Sequence, residues 1–80
     1  MRVPRDLSGV ELANRLERLG YLATRQTGSH IRLTTQTKGE HHITIPRHEA
    51  LRVGTLASIL NSVATHHGLT RPELLRRLFD

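Results

Sequence analysis

The sequence has no cysteine and no tryptophan, and its only aromatic residues are Tyr21 and Phe79. Without cysteine there is neither a disulfide nor a thiolate metal site, and the redox compartment is not legible. Two aromatics are too few for the stacking platforms on which single-strand binders of the RRM or OB type hold bases. No run of apolar residues approaches membrane-spanning length, and the opening Met1-Arg2-Val3-Pro4-Arg5-Asp6 has no apolar signal-peptide region. A soluble, cytoplasmic protein is the expectation. Acidic charge is also scarce, with 7 Asp and Glu against 12 Lys and Arg, for a formal net charge of +5 that leaves six histidines uncounted.

All the basic residues but Lys38 are arginine. Arginine presents a planar fork that matches phosphate in a bidentate way, so the balance favours a polyanionic partner, nucleic acid ahead of a membrane surface. With so few aromatics, such a partner would be gripped through its backbone and shape. Eighty residues make one small domain, spanning 1–80, near the lower limit for folding without staples.

Residues 1–6 read as a short arm. Ser8 and Glu11 form a capping box, with Leu7 placed to staple onto Leu12, and Leu12, Ala13, Leu16 and Leu19 make a helical stripe. Gly20 supplies a left-handed cap, and Tyr21 can fold back on Leu16. Tyr21 to Thr27 reads as a strand whose phase stays open: Tyr21 and Ala23 inward, or Leu22 and Thr24. His30 to Thr37 alternates cleanly, with Ile31, Leu33 and Thr35 to one side and His30, Arg32 and Thr34 to the other. After a Lys38-Gly39-Glu40 turn, His41 to Pro46 is a third strand with Ile43 and Ile45 inward and His42 and Thr44 outward. Gly54-Thr55 opens a second helix along Leu56, Ile59, Leu60, Val63 and Ala64. It ends at Gly68 after His66 and His67, placed where positive charge suits the helix dipole. Thr70 and Glu73 repeat the capping box ahead of a short helix bearing Leu74, Leu75, Leu78 and Phe79.

The predicted architecture is α+β: an α-β-β-β-α order with a three-stranded antiparallel sheet, helices on one face, and a C-terminal helical extension over 70–80 beyond a core of about 7–69. The uncovered face carries His30, Arg32, Thr34, His42 and Thr44. An imidazole beside a fixed positive charge, at the edge of the Gly28-Ser29 turn, suits the handling of a phosphodiester. The pairs His41-His42 and His66-His67 do not make a metal site. Neighbours on a strand face opposite ways, and neither pair has the companions of a zinc set.

In this order and spacing, Gly28-Ser29-His30, Ile43-Thr44-Ile45-Pro46 followed by Arg47-His48, and Gly54-Thr55-Leu56 through Ser58-Ile59-Leu60 resemble the HicA family of small toxin ribonucleases. The resemblance covers about residues 7–69 and includes the helix that ends at Gly20-Tyr21. It implies a fold like that of double-stranded-RNA-binding domains, metal-independent cleavage of mRNA without a cofactor, and silencing by a HicB-type antitoxin. The toxin is expected to be a monomer alone and a hetero-oligomer with its antitoxin, which covers the His30 face. Two features depart from the pattern: Ile31 stands where many members continue with a polar residue or histidine, and the helix over 70–80 exceeds the usual length.

The resemblance puts the catalytic role on His30, the histidine of the Gly-Ser-His motif. Its reference pKa near 6.5 suits either direction of proton transfer at neutral pH. Ser29, Arg32 and His42 on or beside the open face, with Arg25, Lys38 and Arg47 at strand ends and turns, form the expected RNA-binding set. Arg32 is placed to stabilise transition-state charge, and His42 is a candidate second proton carrier. The alternatives are a non-catalytic RNA-binding module on the same face and an interaction protein whose basic face docks an acidic partner.

Overall fold

Ser8 starts the first helix as the sequence predicts. Its hydroxyl accepts the Glu11 N–H at 3.0 Å, and the Glu11 carboxylate accepts the Ser8 N–H at 3.0 Å. The computed structural model describes residues 3–80; Met1 and Arg2, the first residues of the expected arm, lie outside the described residues. Helix α1 spans Gly9–Leu16 and tightens into a 3-10 turn at Glu17–Leu19. Gly20 then takes φ 85°, and the Tyr21 N–H donates back to the Leu16 carbonyl. Gly9 is needed for a different reason: a Cβ there would collide with the Pro46 carbonyl oxygen. The helix therefore starts pressed against the end of the third strand.

Three strands follow, β1 (Leu22–Gln26), β2 (His30–Thr35) and β3 (His41–Pro46), in the antiparallel order β1-β2-β3. Helix α2 runs Val53–His67 and α3 Arg71–Phe79. Ile31, Leu33 and Thr35 of β2 and Ile43 and Ile45 of β3 are buried under the helices, while the opposite face is open. Helix α1 packs on β2 and β3, and α2 packs on β3. The leucines of α1, with Ile59, Leu60 and Val63 of α2, complete the core.

Three expectations need correction. Gly54-Thr55 does not open α2, which begins at Val53. Arg52 is its N-cap residue in extended conformation, and the ladder begins with Leu56 N–H to the Arg52 carbonyl, so both lie inside the first turn. Of the two proposed phases the first gives the direction, with Tyr21 buried and Ala23 paired to the inward Leu33, but no residue of β1 itself is buried. The register slips between Ala23 and Arg25, a β-bulge at Thr24, and no helix covers this edge strand. Finally, α3 is part of the core and not an appendage: Leu74 and Leu78 are both 0 % exposed. They are buried within the chain itself, as α3 packs on α2, α1 and the 3-10 turn. Arg18 fastens the far end of α3 through the Arg77 and Asp80 carbonyls at 3.3 and 2.9 Å. Among the described residues no helix is long and apolar enough to cross a membrane.

Candidate functional site on the open sheet face

The turn from β1 to β2 is pinned at its corners. Thr27 N–H donates to the His30 carbonyl at 2.9 Å, and the N–H groups of Ser29 and His30 donate to Thr27 Oγ1 at 3.3 and 3.0 Å. From the other side, Arg47 N–H donates to the Ser29 carbonyl at 2.8 Å. His30 is the first residue of β2 and is exposed, with Nδ1 2.9 Å from Ser29 Oγ. Gly28 at the tip has no positive φ, and a Cβ there would meet nothing within 4 Å. Neither backbone conformation nor packing demands glycine at this position.

Arg32 sits two residues along from His30 on the same face, about 7 Å away at the usual strand rise. Directly across from it is Arg25. Strict alternation from Ala23, which faces the helix side, would turn Arg25 to that side as well. The bulge at Thr24 resets the phase so that Arg25 joins Arg32 on the open face and Gln26 turns inward. Like charges directly opposite each other on a sheet are unfavourable in isolation, and among the described residues neither arginine ends on a carboxylate. The arrangement suits an anion held between them.

His42 is held more firmly than an idle surface histidine. Its Nδ1 lies 2.7 Å from Thr34 Oγ1 and its Nε2 2.7 Å from Glu40 Oε2, and Thr34 Oγ1 is 3.2 Å from Thr24 Oγ1. The hydrogen bond from His42 above all, then one from Gln36, with Arg32 contributing, hold the exposed Glu40 carboxyl below its ordinary value. Pairing places His42 opposite Thr34, four residues along from His30. That is about 13 Å at the strand rise. One phosphodiester cannot touch both imidazoles, so the structure separates the two as partners for a single bond.

Two of the expected contacts are elsewhere. Lys38, at φ 58° in the β2–β3 turn, donates to the His67 carbonyl at 3.3 Å. It serves the C-terminus of α2 at the opposite end of the sheet from His30. Arg47 lies next to the Ser29 loop, but its side chain lines a groove with Val10, Asn14, Gln26 and Ile31 on the helix side. It borders the open face and does not stand on it.

Sequence reasoning missed a second cluster, at the sheet end away from His30. Tyr21 is fully buried, with its hydroxyl 2.7 Å from His41 Nδ1 and 3.1 Å from His67 Nε2. His41 Nε2 reaches Ser62 Oγ at 3.1 Å, and the His41 ring stacks on His66 with centroids 4.4 Å apart. His66 Nε2 donates to the Thr37 and Gly39 carbonyls, each at 3.0 Å. Burial first, then neighbouring positive groups, lower the pKa of both His41 and His67. His67 is therefore not the cation expected at the end of α2, and Lys38 supplies charge there. Two signals were available in the sequence: His41 shares the inward phase of Ile43 and Ile45, and His67 continues the spacing of Leu60, Val63 and Ala64. Among the described residues, no three histidine, aspartate or glutamate side chains converge in a metal-holding group.

Compared with protein-family models, residues 9–64 match the HicA toxin of bacterial toxin–antitoxin. The chain belongs to the HicA toxin family. No curated protein and no solved structure matches it. The HicA match runs from the start of α1 into the last turns of α2 and takes in the Ser29-His30 turn and the whole open face; α3 lies beyond it. Membership places the chain on the toxin side of a bacterial toxin–antitoxin pair and implies an antitoxin partner.

Proposed function

We propose that this HicA-family toxin is an endoribonuclease that cleaves mRNA with His30 as its acid–base residue. One observation carries the reading. On a sheet face left open by the helices, an imidazole with Nδ1 engaged and Nε2 unengaged by any other side chain among the described residues stands beside a cross-strand pair of arginines. In the reaction, His30 Nε2 takes the proton of a ribose 2′-hydroxyl as O2′ attacks phosphorus. The P–O5′ bond breaks, leaving a 2′,3′-cyclic phosphate. The departing O5′ takes its proton from water, which reaches this face freely and replaces a second histidine too distant to serve. Arg32 and Arg25 stabilise the charge that builds on the non-bridging oxygens.

His42 and Ser29 lie on the path of the RNA backbone, and Arg47 extends the basic surface around the turn. The reading places the toxin in the cytoplasm with its mRNA substrate and requires no cofactor. A HicB-type antitoxin silences it by covering the His30 face, joining an otherwise monomeric toxin in a hetero-oligomer. The α-β-β-β-α order supports a likeness to double-stranded-RNA-binding domains, in which shape and backbone contacts dominate.

The test is the chemistry of the ends. The purified toxin should cut an mRNA to give cyclic phosphate and 5′-hydroxyl termini, and it should fail on a substrate whose 2′-hydroxyls are replaced by hydrogen. Cleavage of the deoxy substrate would refute the mechanism. Tight RNA binding without any cleavage would leave a non-catalytic RNA-binding module.

A further inference from the structure

The hydrogen bond between Ser29 and His30 has a consequence for the tautomer of the reacting imidazole. Neighbouring residues within a strand point to opposite faces and do not meet. Ser29 and His30 meet because Ser29 is still in the turn while His30 already belongs to β2. The Ser29 backbone is fastened at both ends, its N–H to Thr27 Oγ1 and its carbonyl to the Arg47 N–H. With a bare glycine before it, the serine hydroxyl is delivered to His30 Nδ1 at 2.9 Å.

In an imidazole, the hydrogen bond at one ring nitrogen sets the state of the other. We infer that Ser29 is a positioning residue. Its Oγ accepts the Nδ1–H of His30 and so keeps the lone pair on Nε2, the atom turned toward the RNA. The inference rests on the proposed role of His30 and adds to it how that histidine is kept in the reactive tautomer. When Nε2 takes the O2′ proton, Nδ1–H stays where it was, still donated to Ser29, and the imidazolium later releases the Nε2 proton to water. Serine serves both states without changing its own protonation. A carboxylate in its place would favour the cationic form of His30, because its negative charge would lie against Nδ1.

Three variants and two readouts test this. Ser29→Ala is expected to lower kcat about fivefold to tenfold, the loss of one orienting contact being smaller than the loss of the acid–base residue itself. Ser29→Thr, which keeps a hydroxyl, should restore most of the rate. Ser29→Asp should move the acid limb of the pH–rate profile upward by about one unit. The second readout needs no cleavage. The ¹⁵N shifts of the His30 ring should report the Nδ1–H tautomer in the wild type and a change toward Nε2–H in Ser29→Ala. Unchanged ring shifts in Ser29→Ala, or failure of threonine to restore them, would overturn the inference. If the wild type proves not to cleave while the tautomer still follows Ser29, the positioning role stands and the nuclease reading falls.

Discussion

Replacing Tyr21 with phenylalanine removes one oxygen from an enclosed polar cluster. A hydroxyl has one proton, so Tyr21 donates to one of His41 Nδ1 and His67 Nε2 and accepts an N–H from the other. His41 retains Ser62 at its second nitrogen, whereas His67, 3 % exposed, has no solvent to turn to. A buried polar group left without a partner costs about 1–3 kcal/mol. We therefore expect Tyr21→Phe to lose about 2 kcal/mol at neutral pH, which for a domain this size is about 10 °C in Tm. The same cluster sets an acid dependence in the wild type. Burial pushes the Tyr21 phenol up to about 12, so it stays protonated, while the pKa values of His41 and His67 are lowered. Below pH 6.5 the unfolded chain thus binds more protons than the folded one, and stability falls as pH falls. The slope is at most about 1.4 kcal/mol per pH unit for each histidine. The capping carboxylates Glu11 and Glu73, lowered mainly by the Ser8 and Thr70 backbone N–H groups, lose their contribution only as pH falls below the ordinary carboxylate range. The window from pH 7 down to 5 therefore reads the histidines. Thermal unfolding by circular dichroism across that window is the assay. An unchanged Tm in Tyr21→Phe would refute the bridging hydroxyl, and a flat Tm in the wild type would refute the neutral imidazoles.

Gly9→Ala should cost about 1–3 kcal/mol, because its Cβ must push α1 away from the Pro46 carbonyl. Gly28→Ala, with open space around it, should unfold at the wild-type temperature, and an RNA-cleavage rate below that of the wild type would locate the ligand at the turn. Leu74→Ala should lose about 2–5 kcal/mol in urea unfolding if α3 belongs to the core; a loss near zero would make the helix an appendage. Arg25→Ala and Arg32→Ala should each weaken RNA binding and flatten the dependence of log affinity on log salt by about 0.7–0.9. An unchanged slope would take that arginine off the phosphate backbone.

Local patterns carried most of the fold. The Ser8 and Thr70 capping boxes, the stop at Gly20 and the alternation of β2 and β3 are short-range signals whose physics is complete within a few residues. The phase of β1 was not legible because a bulge depends on the partner strand, and that same bulge brings Arg25 beside Arg32. Lys38 looked like a phosphate contact because its sequence neighbours are a turn; only the packing of that turn against α2 shows it satisfying the His67 carbonyl. The histidine cluster was hidden for a similar reason, since Tyr21, His41 and His67 come from three elements that meet only in the folded chain. Of the candidate site, His30 and Arg32 were legible from strand alternation alone. The separation of His42 from His30 needed the register.

In the proposed mechanism His30 performs the cleavage chemistry. The most direct test incubates wild type and His30→Ala with a mixed mRNA substrate in EDTA, after circular dichroism shows both folded. The prediction is cleavage by the wild type and loss of activity by at least about a hundredfold in the variant, with RNA binding retained. Equal cleavage by both proteins would contradict the claim and send the search for the reacting group elsewhere on the open face, to His42 first.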